Sequence, residues 1–272
     1  MYNIVYSFDI EDYFMATCFD NQILRNRWDQ LPSQIRLGFD RIIELLDFHN
    51  IKATFFFLGY VAEKYPDLVK KVHSKGHEIG CHGYNHNLIN NFDQIQFDQD
   101  INRSTSIIEN LIGEKVKGYR APTFSLDIRN HDLIDVLIKY GYKYDSSNFV
   151  NHWNQNRNQS RNLQTPFIIK DNFYEVPMTS VKFYGISLPL GGGYSRLYPT
   201  TLNKSLIKKS ISHKNTILYF HPWEFLNTHP ISPRNYSKAF RHHLNIGDNL
   251  YNKLDSIMKM NINSLRIIDV IN

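Results

Sequence analysis

The sequence predicts a single-domain α/β protein built as a distorted (β/α) barrel with about seven parallel strands. Short β-rich runs alternate with amphipathic helical stretches along the chain, which is typical of βα units around a parallel sheet. Polar side chains gather where several predicted strands end, on the side of such folds that binds ligands. The chain has 272 residues, 42% of them hydrophobic, which is enough for one large core.

The first half of the chain shows the alternation most clearly. Ser33 is a typical helix N-cap, Pro66 suits a first helical turn, and Gly76 suits a helix end. The predicted elements are, in order, a strand at 4–8, a helix at 33–50, a strand at 53–58, a helix at 66–76, a strand at 77–82, a helix at 92–112, a strand ending at 119, a helix at 132–140 and a strand at 142–144.

The second half begins with a polar segment at 151–164, which is interpreted as a loop or a disordered insertion. Its Trp153 is either a substrate contact or a packing anchor. The elements that follow are a strand at 173–178, a turn at 191–193, a helix at 201–212, a strand at 216–220, a helix at 238–260 and a strand at 265–270. Residues 1–272 are thus predicted to form one domain, with 224–272 as an extension that packs on the barrel or contacts a partner.

Composition excludes several classes of protein. Lys and Arg total 31 against 26 for Asp and Glu, a mild excess without a dense basic stripe, so no nucleic-acid partner is expected. An anionic, carrier-linked substrate remains compatible with this charge. Two cysteines, Cys18 and Cys81, exclude a disulfide framework and a four-thiolate zinc site. Carboxylates in the first dozen residues and the lack of a long apolar run predict a cytoplasmic protein without a transmembrane segment.

The strongest local feature is His82-Gly83-Tyr84-Asn85-His86, directly after a predicted strand. Two imidazoles at this spacing can bind one divalent ion, and a third ligand from elsewhere leaves a position for water. A pair of surface histidines is the alternative. The acidic run at residues 9–12 follows the first strand, and it offers the missing carboxylate ligand or a proton-transfer group.

Three further polar residues follow predicted strands. Arg120 could hold a carboxylate in place and keep it ionised, whereas a surface arginine is the alternative. His221 leaves the apolar strand at 216–220, and Asp145 follows the strand at 142–144, where it could orient or charge a histidine. Each of the three signals is weak by itself, but all of them lie at strand ends.

Taken in order, the acidic opening, HGYNH, RAP, DSS and the strand ending in His221 resemble the five motifs of the polysaccharide deacetylases, carbohydrate esterase family four. The resemblance extends from Tyr2 to about Trp223. The sequence is similar in particular to a sub-branch of the family that acts in exopolysaccharide, capsule or lipopolysaccharide biosynthesis. The segments that carry this closer likeness are 9–14, 118–125, 191–199 and 221–225.

The resemblance implies that His82 and His86 bind a divalent metal, with zinc expected first. The family opening has two adjacent aspartates, whereas here Ile10 and Glu11 separate Asp9 from Asp12. Either Glu11 or Asp12 must therefore be the carboxylate ligand. Strand alternation places Glu11 on the side of Asp9, while the shorter side chain favours Asp12 slightly. Two histidines and one carboxylate also suit cobalt, nickel, iron or manganese.

The resemblance further implies that Asp9 is the general base, Arg120 its ion-pair partner and His221 the general acid, with Asp145 tuning or orienting His221. A backbone N–H near Thr123 is expected to share in stabilising the oxyanion.

The reaction implied is hydrolysis of an N-acetyl group on a hexosamine of a glycan or carrier-linked sugar, releasing acetate. Tyr194, Tyr198 and Trp223 either flank the sugar ring or belong to the core. Two other functions remain open at this point: cleavage of another amide, such as a cyclic imide or purine-derived ring, and a non-catalytic glycan-binding module of the same fold. The sequence does not indicate an oligomeric state.

Overall fold

The computed structural model describes residues 2–19, 23, 25–149 and 164–271. The predicted loop at 151–164, with Trp153, lies outside these ranges except for Gln164. In chain order the strands are β1 Ile4–Ile10, β2 Thr54–Phe57, β3 Glu78–Cys81, β4 Gly118–Tyr119, β5 Tyr144–Asp145, β6 Phe167–Lys170, β7 Phe173–Glu175, β8 Ser180–Phe183, β9 Ile186–Pro189, β10 Thr216–Phe220 and β11 Ser264–Leu265.

The α-helices lie between these strands and after them. They are α1 Ile35–Phe48, α2 Gly59–Lys64, α3 Pro66–Ser74, α4 Gln94–Ile112, α5 His131–Lys139, α6 Gly192–Leu197, α7 Thr200–Ile211, α8 Tyr236–His243, α9 Asp248–Met258 and α10 Ile268–Ile271. No helix within the described ranges is both long enough and apolar enough to span a bilayer.

The main sheet confirms the predicted distorted barrel. Its order is β10-β1-β2-β3-β4-β5-β7-β6, and β11 pairs with the start of β1. The seven strands from β10 to β7 pair in parallel, and β6 is antiparallel to β7. After β7, Thr179 Oγ1 accepts the N–H of Ile217 in β10 at 2.8 Å. The sheet therefore curls back from β7 toward β10, at its opposite edge. All carboxyl ends of the parallel strands therefore surround one mouth.

The core is aromatic and aliphatic on both sides of the central strands. Every residue of β1 and β2 is buried, as expected for strands covered on both faces. Phe8 contacts the rings of Phe55, Phe220 and Phe225, which links three neighbouring elements. The central strands are thus held rigidly beneath the mouth of the barrel.

Three predicted elements in the second half are wrong in detail. The helix predicted at 238–260 is two helices, because Asn245 and Gly247 have positive φ of 50° and 65° and interrupt it. The strand predicted at 265–270 is the short β11 followed by α10. The turn predicted at 191–193 opens α6, and the β8–β9 hairpin was not predicted.

The segment after residue 224 contacts the loops around α6 and the turn after β10. Lys253 Nζ in α9 donates to the carbonyls of Ser195, Arg196 and Tyr198 around α6, at 2.6 to 3.0 Å. Gly247 N–H donates to Glu224 O at 2.8 Å. The extension therefore supports the loop that carries His221.

Candidate active site

Strand ends deliver the predicted site residues to one mouth of the barrel. Asp9 lies at the end of β1, His82 directly follows β3, Arg120 directly follows β4, and His221 directly follows β10. The four strands are parallel, β10 is next to β1, and β3 is next to β4. Their carboxyl ends therefore lie close together. Asp9, His82 and Arg120 are almost wholly buried, and His221 keeps 17% of its side chain exposed.

Asp9 and Arg120 form a buried ion pair, as predicted. Arg120 Nη1 lies 2.7 Å from Asp9 Oδ1 and also donates to Ser7 Oγ at 2.9 Å. The guanidinium carbon lies 4.2 Å from the centre of the Phe56 ring, and Nε donates to Ser146 O. The guanidinium therefore has little freedom to rotate. Asp9 Oδ1 is engaged by Arg120, while Asp9 Oδ2 faces His221.

Glu11, His82 and His86 are brought together at the same mouth. One possible ligand atom of each residue lies within 4.8 Å of those of the other two. His86 Nε2 is 2.8 Å from Glu11 Oε2, and the two histidine rings are 5.6 Å apart. Burial raises the pKa of Glu11, but the neighbouring histidines outweigh it and lower that pKa to about 2. The carboxylate is therefore ionised and faces both imidazoles.

The preference for Asp12 as the acidic neighbour of the histidines is wrong. The Asp12 carboxylate accepts the N–H of Tyr13 at 2.9 Å and the N–H of Gln34 at 3.2 Å. It therefore caps the short helical turn at 13–15 and the entry to α1, and its two oxygens are engaged there. Glu11 continues the alternation of β1 and faces the mouth with Asp9.

A chain of hydrogen bonds orients His82. Its Nδ1 lies 2.7 Å from the carbonyl of Arg120, and because a carbonyl only accepts, Nδ1 carries the proton and Nε2 is left as the ligand atom. The N–H of the same peptide unit, on Ala121, donates to Ser147 Oγ at 2.8 Å. Ser147 Oγ in turn donates to Asp145 Oδ1 at 2.6 Å. Asp145 is thus linked to His82 through Ser147 and the peptide between Arg120 and Ala121.

The prediction that Asp145 orients His221 is therefore wrong. Glu224, three residues after His221, has that position: its Oε2 lies 3.0 Å from His221 Nδ1 and accepts the His221 N–H at 2.9 Å. Glu224 Oε1 pairs with Arg196 Nε at 2.7 Å. Asp145 is directed instead at Ser147 and at Glu175, its pairing partner in β7. Burial raises the pKa of Asp145 to about 6.

His221 is surrounded by carboxylates. Its Nε2 lies 3.7 Å from Glu11 Oε1 and 3.9 Å from Asp9 Oδ2, opposite the nitrogen held by Glu224. Burial lowers the pKa of His221, but these three acids outweigh it and raise the pKa to about 9. The imidazole is therefore protonated at neutral pH. The HPWE motif could have indicated Glu224, because in a tight turn the side chain three residues after His221 lies close to His221.

Of the three aromatic side chains considered for the sugar ring, Trp223 is buried. It is only 6% exposed, stacks on His221 and His242, and points its Nε1 at Glu11 Oε1, 3.3 Å away. Tyr198 is also buried, so both Trp223 and Tyr198 are part of the hydrophobic core. Tyr194 remains partly exposed, and its ring lies 6.0 Å from that of Phe149.

Two loops at the mouth depart from ordinary backbone geometry. Thr123 and Phe124 have φ of 55° and 56°, a conformation that is strained for a β-branched residue. His86 has φ of 54°, and its loop is held by Arg25, which donates to the carbonyls of Asn85 and His86 at 2.7 and 3.0 Å. Sequence reasoning missed Arg25, because it lies 60 positions away in an irregular segment.

Comparison with known families divides the chain into two parts. A model of the polysaccharide deacetylase family matches residues 16–144, and one described as a domain of unknown function (DUF3473) matches residues 146–267. The first range includes His82, His86 and Arg120. Asp9 and Glu11 precede it, and His221 lies in the second range. The structure therefore joins residues from both matches in a single mouth.

Curated relatives match over part of their length. A peptidoglycan deacetylase-like protein of Gibberella zeae is 33% identical over 114 residues, which cover 41% of this chain and 33% of the relative. A peptidoglycan-N-acetylglucosamine deacetylase of Bacillus cereus is 30% identical over 102 residues, 38% of this chain and 37% of the relative. The matched part of the chain thus corresponds to about a third of each relative.

Solved structures share the fold over nearly the whole chain. A peptidoglycan N-acetylglucosamine deacetylase superposes with a TM-score of 0.56 at 17% identity, covering 98% of this chain and 87% of that one. A pseudoenzyme of carbohydrate esterase family four from Bacillus anthracis gives 0.54 at 11% identity, covering 99% and 65%. At these identities the likeness shows the fold alone, and a pseudoenzyme shares it.

Proposed function

The chain belongs, through residues 16–144, to the polysaccharide deacetylase family, and on that premise we propose that it hydrolyses the N-acetyl group of a hexosamine in a glycan or carrier-linked sugar. The observation that carries the proposal is the placement of Asp9 and protonated His221 at the same mouth as Glu11, His82 and His86. Because the fold is shared with a pseudoenzyme, this set of side chains supports activity more strongly than the fold does.

The donor set fits a divalent metal. Glu11, His82 and His86 are buried, their ligand atoms lie close together, and His82 already presents Nε2. Two imidazoles and one carboxylate are a known catalytic zinc set with a position left for water. These three residues would hold the ion, which when bound polarises the acetyl carbonyl and lowers the pKa of water. Zinc is the ion we propose first.

Asp9 is suited to accept a proton. Arg120 occupies Oδ1, so Oδ2 is the oxygen that faces the mouth and removes a proton from the attacking water. The water oxygen then bonds to the acetyl carbon. We propose that a backbone N–H near Thr123, whose turn is strained, stabilises the resulting oxyanion.

His221 is suited to supply the second proton. When the carbon–nitrogen bond breaks, the sugar nitrogen leaves as an amine only if it is protonated, and His221 Nε2 faces Asp9 and the mouth. Glu224 holds Nδ1 in place. The products are acetate and a free amino sugar. Tyr194, which retains exposure beside Phe149, is the aromatic side chain that we propose for the sugar ring.

The direct test is release of acetate. The purified chain, loaded with zinc, is incubated with N-acetylglucosamine oligomers and with peptidoglycan fragments, and acetate and free amine are both measured. We expect equal amounts of the two products, and none from a His221→Gln variant. Ring-opened acid without acetate would favour the cyclic-imide or purine-derived alternative. Failure to release acetate above the His221→Gln background on any N-acetylated glycan would refute the proposal.

Glu224→Gln tests how His221 is tuned. Gln still accepts a hydrogen bond from Nδ1, but it removes a negative charge, so the pKa of His221 falls from about 9. Because the acid form is the active one, the high-pH decline in kcat should move to lower pH by about one unit. The pH profile of kcat measures this shift. An unchanged high-pH decline would contradict the assignment of Glu224.

Ser147→Ala tests the hydrogen bonds behind His82. The substitution breaks the link from Asp145 to the peptide that orients the imidazole, and we expect metal affinity to fall about tenfold, the lower range for an outer partner of a ligand. Ser146→Ala is the matched control, because Ser146 Oγ contacts Arg120 and Val176 O instead. Equal metal affinity in both variants would rule out the link.

A further inference from the structure

The region around the β8–β9 hairpin holds the positive excess of the whole chain. Residues 176–223 contain six Lys and Arg and no Asp or Glu. Subtracting these six from the net charge of +5 leaves −1 for the rest of the chain. The exposed part of this region, defined by Lys182, Tyr184, Ile186, Lys208 and Lys209, is called the basic hairpin surface below.

The lysines of this surface lie side by side. Helix α7 buries Leu206, Ile207 and Ile211 and leaves Lys208 and Lys209 exposed. Lys209 Nζ donates to the carbonyl of Lys182 at 2.7 Å, which brings the exposed side of α7 against the hairpin. The two cationic segments are therefore neighbours in space.

Among the described residues, these lysines also lack acidic partners. Lysines elsewhere in the chain, such as Lys71 and Lys139, form ion pairs with aspartates at 2.8 and 2.6 Å. No carboxylate in the described ranges pairs with Lys182, Lys208 or Lys209, in keeping with the absence of Asp and Glu from residues 176–223. Their charges are thus available to an external anion.

The hairpin apex adds apolar side chains to this charge. Phe183 pairs with Ile186 across a two-residue turn in which Tyr184 and Gly185 have φ of 47° and 81°. Two successive positive φ values are typical of a type I′ turn, which matches the twist of the strands and makes the apex rigid. Tyr184 is 92% exposed and Ile186 is 50% exposed. A large aromatic ring is therefore held out in solvent beside unpaired lysines.

We propose that the basic hairpin surface docks this protein on a lipid bilayer that contains anionic phospholipids. Lys182, Lys208 and Lys209 would contact the headgroups, and Tyr184 and Ile186 would enter the interfacial layer. Tyrosine favours that layer, and clustered lysines are attracted to anionic headgroups. An acidic polymer would satisfy the lysines, but it offers no apolar layer for Ile186. The charge and the apex together therefore favour a membrane surface.

The test is sedimentation of the full chain with vesicles of phosphatidylcholine, with and without 40 mol% phosphatidylglycerol. We expect binding only to the anionic vesicles and weaker binding at high salt, because salt screens exposed charges. Lys208→Ala/Lys209→Ala should weaken partitioning about 25-fold, at about fivefold for each lysine near an anionic surface. Tyr184→Ser should weaken it about fivefold, since less apolar area enters the interface.

Matched controls separate this surface from general charge and exposure. Lys70→Ala/Lys143→Ala removes the same charge elsewhere, and Phe48→Ser removes another exposed ring, 76% exposed in α1. Both controls should bind vesicles like the unmodified chain. Equal binding to both kinds of vesicle, or equal weakening by the controls, overturns the proposal. Binding to heparin or duplex DNA as tight as to anionic vesicles, and insensitive to Tyr184→Ser, also overturns it in favour of an acidic polymer.

Discussion

Glu11→Gln is expected to lower metal affinity more than 100-fold and to abolish acetate release, while Asp12→Asn leaves both within about threefold. Glu11 lies with His82 and His86, so losing its charge removes a ligand, an effect larger than the 10–100-fold typical of an outer partner. Asp12 only accepts backbone N–H groups, and Asn retains that capping function. Zinc titration followed by calorimetry measures the affinities.

The Asp12→Asn variant is a close control for Glu11→Gln, because both remove one buried carboxylate from the same turn. Thermal unfolding without metal checks that both variants fold. If Asp12→Asn loses the metal and Glu11→Gln keeps it, the proposed ligand set is wrong and the original preference for Asp12 is restored.

Asp9→Asn is expected to lower kcat by about 10²- to 10⁴-fold, the usual contribution of a general base, with metal affinity nearly unchanged. Asn can still accept a hydrogen bond from Arg120, but it cannot take the proton from water. The measurement is steady-state acetate release beside zinc titration of the same sample. A kcat within tenfold of the unmodified chain would assign the base elsewhere.

Stability must be measured with Asp9→Asn. Removing one partner from a buried ion pair leaves the Arg120 charge uncompensated and typically costs about 3–5 kcal/mol. Retained zinc affinity is the check that matters here, because the proposed ligands follow β1 and β3, and an unfolded chain would not assemble them. Loss of both kcat and zinc binding would indicate unfolding and would count against a purely catalytic role.

The alternation of elements could be predicted because each parallel strand is an apolar run and each helix has one apolar face. The ends of α4 show how local this information is: Asp93 caps its start and Gly113, with φ of 74°, ends it. The interruption of the predicted 238–260 helix was missed because two residues with positive φ outweighed a continuous pattern of apolar positions. The β8–β9 hairpin was missed because its strands are short and half exposed.

The candidate site could be predicted as far as residue types at strand ends allow. Asp9, His82, His86, Arg120 and His221 follow apolar strands, and in a parallel sheet all such residues reach one mouth. Their partners were not predictable in the same way. Asp145 and His221 both lie at strand ends, but the hydrogen bonds of Asp145 pass through Ser147 toward His82.

The barrel and the residue types at its strand ends could be inferred without coordinates, because the alternation of apolar strands and amphipathic helices is a local property of the chain. The pairing of each carboxylate with its histidine became visible only in the folded molecule. A partner is chosen by distances of about 3 Å, and such distances depend on turn geometry and on contacts between residues far apart in sequence. Glu11 rather than Asp12, and Glu224 rather than Asp145, are the two places where that geometry prevailed.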